Sequence, residues 1–135
     1  MAIRYLLDTN ICIYIAKHSP PAVRERFELL DANAIAMSVI TFGELRFGAE
    51  KSRARDKALA ALQQLESSIQ VAPLPDAAGI HYGQLCRSLE AVGKPIGGND
   101  LWIAAHARCE GWVLVTNNER EFRRVDGLVV ENWVA

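Results

Sequence analysis

The sequence has 135 residues, of which half are hydrophobic and 23% are charged, and its net charge at neutral pH is −1. This length fits a single domain over residues 1–135 with a hydrophobic core of its own, and the composition excludes a disordered chain. No apolar run approaches the roughly 20 residues that a membrane-spanning helix needs, and a charge near zero weighs against the strongly basic proteins that coat nucleic acid.

The cysteines and histidines form no recognisable site in the sequence. Three of each are present, widely spaced and without a C-x-x-C pair: Cys12, Cys86, Cys109, His18, His81 and His106. Such a set predicts neither a disulfide framework nor a zinc site, and it is typical of a reducing compartment. The first residues do not resemble a secretory signal, so we expect a cytoplasmic protein that does not associate with membranes.

The first strong pattern is residues 3–7, a short run that is apolar except for Arg4 and stops at Asp8. It predicts a strand covered on both faces, and Thr9 and Asn10 are suitable capping residues for the helix that follows. In open α/β sheets the carboxyl ends of the strands border the functional crevice, which makes Asp8 the first candidate for chemistry. The alternative is that Asp8 only caps the next helix.

The next part of the sequence alternates between helical and strand patterns. The predicted elements are a helix at residues 21–30, a buried strand at 34–38, a helix that begins at Thr41, and a helix at 54–65. The last two helices are expected to form a hairpin. Glu44 lies three residues after Thr41, at the capping-box position, and this gives Glu44 a purely structural explanation.

The second half continues the alternation. The predicted elements are a strand at 69–72, a long helix capped by residues 73–76 and stopped at Gly93, a helix at 101–109 after a glycine-containing loop, a strand at 112–115, and a last strand at 128–131. Strands that alternate with helices in this way predict an α/β sandwich with a mostly parallel central sheet.

Polar side chains follow several of the predicted strands or open the next helix: Asp8, Glu44, Asp100, Asn118 and Glu121. In a parallel sheet these elements emerge along one edge, so we expect the side chains to lie close together. Each acid could cap a helix, but converging carboxylates repel one another unless a cation compensates. Mg²⁺ and Mn²⁺ prefer carboxylate and water oxygens, and a bound ion can activate water against a phosphodiester. The sequence therefore predicts a metal-dependent nuclease.

Basic residues are placed where they are expected to contact a nucleic-acid backbone around this acidic centre. They are Arg24 and Arg26, residues 51–57, and Arg120, Arg123 and Arg124. For each group the alternative is an ordinary solvated helix face, where charges are common.

Four motifs resemble the PIN-domain ribonucleases of the VapC toxin type, in their order and in their spacing. They are residues 6–13, residues 41–45 with Gly48, residues 96–107 around Asp100, and residues 115–118 with Glu121 and Phe122. The resemblance covers essentially the whole chain and is strongest to the enterobacterial group. It implies the fold of that family, a three-layer α/β/α sandwich with a mostly parallel central sheet.

The resemblance also implies an activity and partners. The expected protein is the toxin of a type II toxin–antitoxin system, a Mg²⁺-dependent endoribonuclease (with Mn²⁺ as the other suitable ion) that cleaves initiator tRNA in its anticodon region and so inhibits translation. The expected partners are a VapB-type antitoxin that blocks the acidic site and a second copy of the chain in a homodimer. DNA is expected to be contacted only through the antitoxin complex.

Carried over position by position, the resemblance assigns metal-binding and catalytic roles to Asp8, Glu44 and Asp100. Glu121 occupies the region of the fourth acid of the family, and it is expected to be a further metal ligand. Supporting roles fall to Asn10, Thr116 and Asn118. The sequence departs from the family at Asn118 and Glu121, where many PIN domains have an aspartate, and at Gly98, where many have proline.

Two other functions remain open at this stage. Asp8 at a strand end and Thr116 after a later strand also resemble the metal-dependent phosphatases of the haloacid-dehalogenase type, although Asn10 stands where that family has a second aspartate. The other alternative is a catalytically weak PIN domain that serves as a binding module, which retention of Asp8, Glu44 and Asp100 disfavours.

Overall fold

A five-stranded sheet forms the centre of the molecule in the computed structural model, which describes residues 2–134. The end residues of the predicted domain, 1 and 135, lie outside the described residues. The strands are β1 (Tyr5–Leu7), β2 (Ile35–Ser38), β3 (Gln70–Ala72), β4 (Val113–Val115) and β5 (Val130–Glu131). Their order in the sheet is β3-β2-β1-β4-β5, and each neighbouring pair is parallel. The prediction of a mostly parallel sheet is confirmed.

Seven α-helices and one short 3-10 helix (Ala32–Ala34) connect these strands within residues 2–134. The α-helices are α1 (Thr9–Lys17), α2 (Pro21–Glu28), α3 (Val39–Glu50), α4 (Arg55–Ser68), α5 (Ala77–Ala91), α6 (Gly98–Glu110) and α7 (Glu119–Phe122). Helices α3 and α4 pack against each other as the predicted hairpin. None of the helices in the described part of the chain is long and apolar enough to cross a membrane.

Helices cover both faces of the sheet, so the molecule is the predicted three-layer α/β/α sandwich. Leu6 of β1 packs into one core with Leu85 of α5, whereas Leu7 packs into the opposite core with Ile11 of α1 and Leu62 of α4. The two neighbours face opposite ways because successive side chains of a strand alternate. Both leucines are fully buried, and burial of one such side chain contributes about 1.5–3 kcal/mol. Strand β1 therefore joins the two cores.

The start of α1 differs from the sequence prediction. Asp8, rather than Thr9 or Asn10, is the N-cap, and its Oδ1 accepts a hydrogen bond of 2.9 Å from the backbone N–H of Ile11. The strand ends one residue before Asp8, so this side chain is the first that can bond an unpaired N–H of the helix. Asp8 thus has the structural role that the sequence left open, in addition to its place at the sheet edge.

The start of α3 also differs, and this changes the interpretation of Glu44. The helix begins at Val39, and Ser38 caps it by accepting a hydrogen bond of 3.1 Å from the N–H of Ile40. The prediction of a start at Thr41 was wrong because Ser38, the last residue of β2, already supplies the cap. Glu44 therefore lies in the second turn of α3, and the capping-box explanation for it was wrong as well.

Several other helices and strands begin or end at residues that differ from the sequence prediction. Helix α6 begins at Gly98, ahead of the predicted residue 101, which brings Asp100 into its first turn. Asp76 makes no capping hydrogen bond at the start of α5, so the predicted cap at residues 73–76 was wrong in that respect. Helix α2 ends at Glu28, and only Val130 and Glu131 of the predicted last strand pair with β4.

Candidate active site

The two central strands deliver Asp8 and Thr116 to the same edge of the sheet. The N–H of Asp8 donates to the carbonyl of Val115 at 3.0 Å, and the N–H of Thr116 donates to the carbonyl of Glu131 at 3.0 Å. These bonds continue the parallel pairing one residue past each strand. Asp8 is only 5% exposed and Thr116 is fully buried, so both side chains are held in fixed positions.

Helix α3 brings Glu44 to this edge, where a residue that the sequence analysis did not select holds it. Thr9 Oγ1 donates to Glu44 Oε1 at 2.6 Å, and Thr41 Oγ1 lies 3.3 Å from Thr9 Oγ1. The hydrogen bond connects α1 with α3 and fixes the carboxylate. The one signal in the sequence was the position of Thr9, a hydroxyl residue next to Asp8.

Asp100, in the first turn of α6, is the carboxyl group most strongly affected by its surroundings. Its pKa is raised from 3.8 to about 6. Burial is the largest cause, followed by the negative charges of Glu121, Glu44 and Asp8 and by a hydrogen bond with the Glu121 carboxyl group. The structure therefore brings the four predicted acids close enough for each of the other three to act on Asp100.

The pKa of Asp8 is also raised, and burial is again the largest cause. Hydrogen bonds from the Thr116 hydroxyl and the Ile11 N–H act in the opposite direction, and the charge of Glu44 adds to the increase. The Thr116 hydroxyl therefore favours the ionised form of a carboxyl group that burial disfavours.

Asn118 and Glu121 act as a pair at the start of α7. The N–H of Asn118 donates to Thr116 Oγ1 at 2.9 Å, and Asn118 Nδ2 donates to Glu121 Oε2 at 2.7 Å. Phe122, which is buried in the core, anchors this short helix. Asn118 thus orients Glu121 and does not replace it at the acidic site.

The donor set suits a hard divalent cation, because all four side chains are carboxylates and their mutual repulsion is the kind that such an ion relieves. Within residues 2–134, no three acidic, histidine or cysteine side chains are placed so that they could hold a metal ion together. Mg²⁺ commonly uses one or two protein carboxylates and completes its shell with water and substrate phosphate. The acids therefore fit Mg²⁺ or Mn²⁺ held by few protein ligands.

The other predicted site residues contribute less to this arrangement. Asn10 is exposed on the first turn of α1. Arg24 pairs with Glu28 and Arg26 with Glu131, at 2.9 and 3.3 Å. Such pairs favour the solvated-face alternative for these arginines.

The arginines around α7 divide into two groups. Arg123 pairs with Glu119 at 2.6 Å. Arg120 and Arg124 are exposed, and neither forms an ion pair with any residue in the range 2–134. Among the predicted RNA-binding arginines, these two have guanidinium groups available for phosphate.

Comparisons with known proteins agree with this geometry. The sequence profile of the PIN domain matches residues 5–128. A tRNA(fMet)-specific endonuclease VapC of Shigella flexneri is 44% identical over 131 residues, which span 97% of this chain and 98% of that protein.

Solved structures show the same similarity. The chain matches a chain of the DNA-bound VapBC of Salmonella typhimurium with a TM-score of 0.91 and 42% identity, over 97% of this chain and 98% of that one. It matches VapBC2 of Rickettsia felis, bound to a DNA fragment from its promoter, with a TM-score of 0.90 and 38% identity, over 97% and 99% of the two chains.

Proposed function

Because this chain belongs to the PIN-domain family, as a VapC-type ribonuclease toxin of a VapBC system, we propose that it cleaves initiator tRNA in the anticodon region and requires Mg²⁺. The observation that carries the proposal is the group of four carboxylates at the carboxyl edge of the sheet, where burial, followed by the charges of Glu121, Glu44 and Asp8, raises the pKa of Asp100 to about 6. The proposed enzyme is a single PIN domain over residues 1–135. The name of the Shigella flexneri relative supports the choice of tRNA(fMet) as substrate.

We assign the metal-binding and catalytic roles to Asp8, Glu44 and Asp100, with Glu121 as a further ligand. Any one ion would be held by one or two of these carboxylates, with water and substrate phosphate as its other ligands. When bound, Mg²⁺ supplies positive charge at the phosphodiester and makes a water molecule a better nucleophile. The products expected from this chemistry are a 5′-phosphate and a 3′-hydroxyl end. Mn²⁺ has the same preference for oxygen ligands and is expected to substitute.

The surrounding residues hold this group in place. Thr9 fixes the Glu44 carboxylate through its 2.6 Å hydrogen bond, and Asn118 orients Glu121 at 2.7 Å. Thr116 favours the ionised form of Asp8. Arg120 and Arg124 lie after β4, on and beside α7, and are the basic residues we assign to the RNA backbone.

The proposed partners follow from the similar complexes. The Salmonella typhimurium and Rickettsia felis structures are VapBC assemblies with DNA, which supports a VapB-type antitoxin for this chain and contact with DNA only through that complex. A homodimer and a cytoplasmic location belong to the same proposal, and the location follows from the proposed tRNA substrate.

The direct test is sequencing of 5′-phosphate RNA ends after purified protein is incubated with total tRNA, in Mg²⁺ or in EDTA. We expect one metal-dependent cut in the anticodon region of initiator tRNA. Asp8→Asn should reduce cleavage at least 100-fold, because the carboxylate charge is lost, while the fold is kept because asparagine caps a helix about as well as aspartate.

The matched control is Asp31→Asn. Asp31 caps the 3-10 helix by accepting from the N–H of Asn33 at 2.8 Å, and it is exposed. This variant makes the same chemical change at a cap remote from the acids and should cleave at the parental rate. An Asp8→Asn protein that is folded by circular dichroism and cleaves as fast as the parent would remove Asp8 from the mechanism.

A further inference from the structure

A cavity of about 670 Å³ opens beside the acidic site. Val39, Gly43 and Phe47 of α3 line it, and it extends to Glu44 and Asn99. Glu44 and Asn99 also line a second cavity, of about 400 Å³, that contains Asp100. The apolar surface of α3 is therefore continuous with the carboxylates. The volume of the first cavity is in the range of small-ligand sites.

Phe47 is the most distinctive residue of this cavity. It is 64% exposed, and it is the aromatic residue among the exposed large hydrophobic residues of positions 2–134. The Lys51 ammonium lies 4.7 Å from the centre of its ring, a cation–π distance. An exposed aromatic ring with a positive charge beside it combines a surface for stacking a base with a partner for a phosphate.

Gly43, one turn before Phe47, leaves the floor of the cavity open. A Cβ atom built at this position meets no atom within 4 Å, and the backbone is ordinary α-helix. Glycine is less favourable than alanine inside a helix, so neither close packing nor helix formation explains its presence here. The missing side chain leaves room above α3 directly next to Glu44.

We infer that Phe47 and Gly43 form a subsite for an unpaired nucleobase of the RNA, next to the phosphodiester that the acidic site cleaves. This inference rests on the proposed function and adds the way in which a neighbouring nucleotide is held. The base stacks on the Phe47 ring above Gly43, and Lys51 faces the adjoining phosphate. Stacking on an aromatic side chain tolerates any base, so the subsite recognises an unpaired nucleotide and not a particular sequence.

The first test measures binding without cleavage. Asp8→Asn protein is titrated with a short single-stranded oligoribonucleotide that carries 2-aminopurine, whose fluorescence falls when the base stacks. Adding Phe47→Ala should weaken binding about 5- to 100-fold and abolish the quenching, and Phe47→Tyr should restore both. Gly43→Leu, which fills the cavity, should weaken binding to a similar extent.

The control for an exposed apolar side chain is Val92→Ala. Val92 is also 64% exposed but lies at the end of α5, outside the cavity. The Val92→Ala substitution should leave RNA binding unchanged. The mass of each variant in solution is measured in parallel, because Phe47 could instead anchor a protein partner. Unchanged RNA binding by Phe47→Ala, with or without a change in oligomeric mass, would overturn the inference.

The second test separates this inference from the proposed function. With Asp8 intact, tRNA cleavage by the parent tests the function alone, whatever Phe47 does. If the parent cleaves tRNA, Phe47→Ala should raise KM about 5- to 100-fold and leave kcat within a few-fold. A parent that fails to cleave tRNA contradicts the proposed substrate, while the binding experiment still decides on the subsite.

Discussion

Asp8 is both a helix cap and a carboxylate of the acidic site, and both roles come from its place directly after β1. Residue-level reasoning found Asp8, Glu44, Asp100 and Glu121 because acids after predicted strands stand out in the sequence. It did not find the hydrogen bond between Thr9 and Glu44. That contact depends on how α1 and α3 pack, and no spacing in the sequence encodes the distance between side chains 35 positions apart.

Thr9 is a positioning residue at this scale, and its hydroxyl can be removed with little change in volume. Thr9→Val should lower the tRNA cleavage rate about 10- to 100-fold, as is usual when a residue that orients a metal ligand is lost. Thr9→Ser keeps the hydroxyl and should restore most of the rate. Initial-rate measurements at several Mg²⁺ concentrations check this, and equal rates for the valine and serine variants would contradict it.

Asp100 makes stability depend on pH in a defined direction. Its pKa is raised in the folded protein to about 6, which means that folding favours the neutral carboxyl group. The resulting stabilisation is fully present below the unfolded pKa near 4 and is lost as the pH rises through 6. Asp100→Asn does not titrate. The free energy of unfolding of this variant should therefore rise relative to the parent between pH 4 and pH 7 in metal-free buffer.

The size of that difference is limited by solvent. The full shift corresponds to about 3 kcal/mol for a buried group, and screening at a half-buried site reduces this to about 1–2 kcal/mol. Urea unfolding in EDTA at pH 4 and pH 7 measures it. Asp56→Asn, which makes the same substitution on a fully exposed side chain, is the matched control. A difference for Asp100→Asn that is flat with pH would contradict the raised pKa.

At the scale of the elements, the sequence predicted the order of strands and helices but misplaced the first residues of the helices that carry the site. Helix α3 was expected from Thr41 and begins at Val39, since Ser38 at the end of β2 is already a cap. The hydrophobic periodicity fixes which segments are helical, whereas the first turn depends on which side chain reaches a free N–H. The misplacement matters because it had given Glu44 a structural role that it does not have.

Ser38 stabilises two elements at once, and this leads to a prediction for α3 and α6. Its Oγ accepts from the N–H of Ile40 and lies 2.8 Å from Nδ1 of the fully buried His106. Ser38→Ala should lower the free energy of unfolding by about 1–3 kcal/mol, because a cap is lost and a buried histidine loses its partner. Urea unfolding measures the change.

The control for this prediction is Ser67→Ala near the end of α4. Ser67 is exposed and its hydroxyl donates to the Gln64 carbonyl within the same helix. It should change stability by less than about 0.5 kcal/mol. Equal effects of the two substitutions would mean that the cap and the histidine contact contribute nothing measurable.

At the scale of the whole molecule, the alternation of strands and helices was enough to predict the parallel sheet and the convergence of the acids on one edge. The PIN-domain match over residues 5–128 leaves the haloacid-dehalogenase alternative without support. What the sequence could not provide was the electrostatic coupling. The raised pKa of Asp100 needs the burial and the three neighbouring charges together, and these exist only in the assembled sandwich.

Metal binding should therefore stabilise the whole fold. A cation that binds the folded carboxylates, and not the unfolded chain, raises the free energy of unfolding by about 2.7 kcal/mol at 100 times its Kd. We expect Mg²⁺ to raise the Tm by several degrees at pH 7.5, EDTA to reverse the increase, and Asp100→Asn to lose most of it. Thermal melts in matched ionic strength, with NaCl as the control salt, make the measurement. A Tm that responds equally in parent and variant would place the bound ion elsewhere.

The strand order also fixes when the acidic edge of the sheet can assemble during synthesis of the chain. Strand β1 lies between β2, which follows early in the chain, and β4, at residues Val113–Val115. The N–H of Asp8 donates to the carbonyl of Val115, the last residue of β4, and Glu121 comes later still in the chain. A growing chain on the ribosome therefore carries Asp8 long before β4, the strand that holds it in place, has been made. The acidic edge of the sheet can therefore be complete only after β4 and α7 have been made, although its first member, Asp8, is among the earliest residues of the described chain.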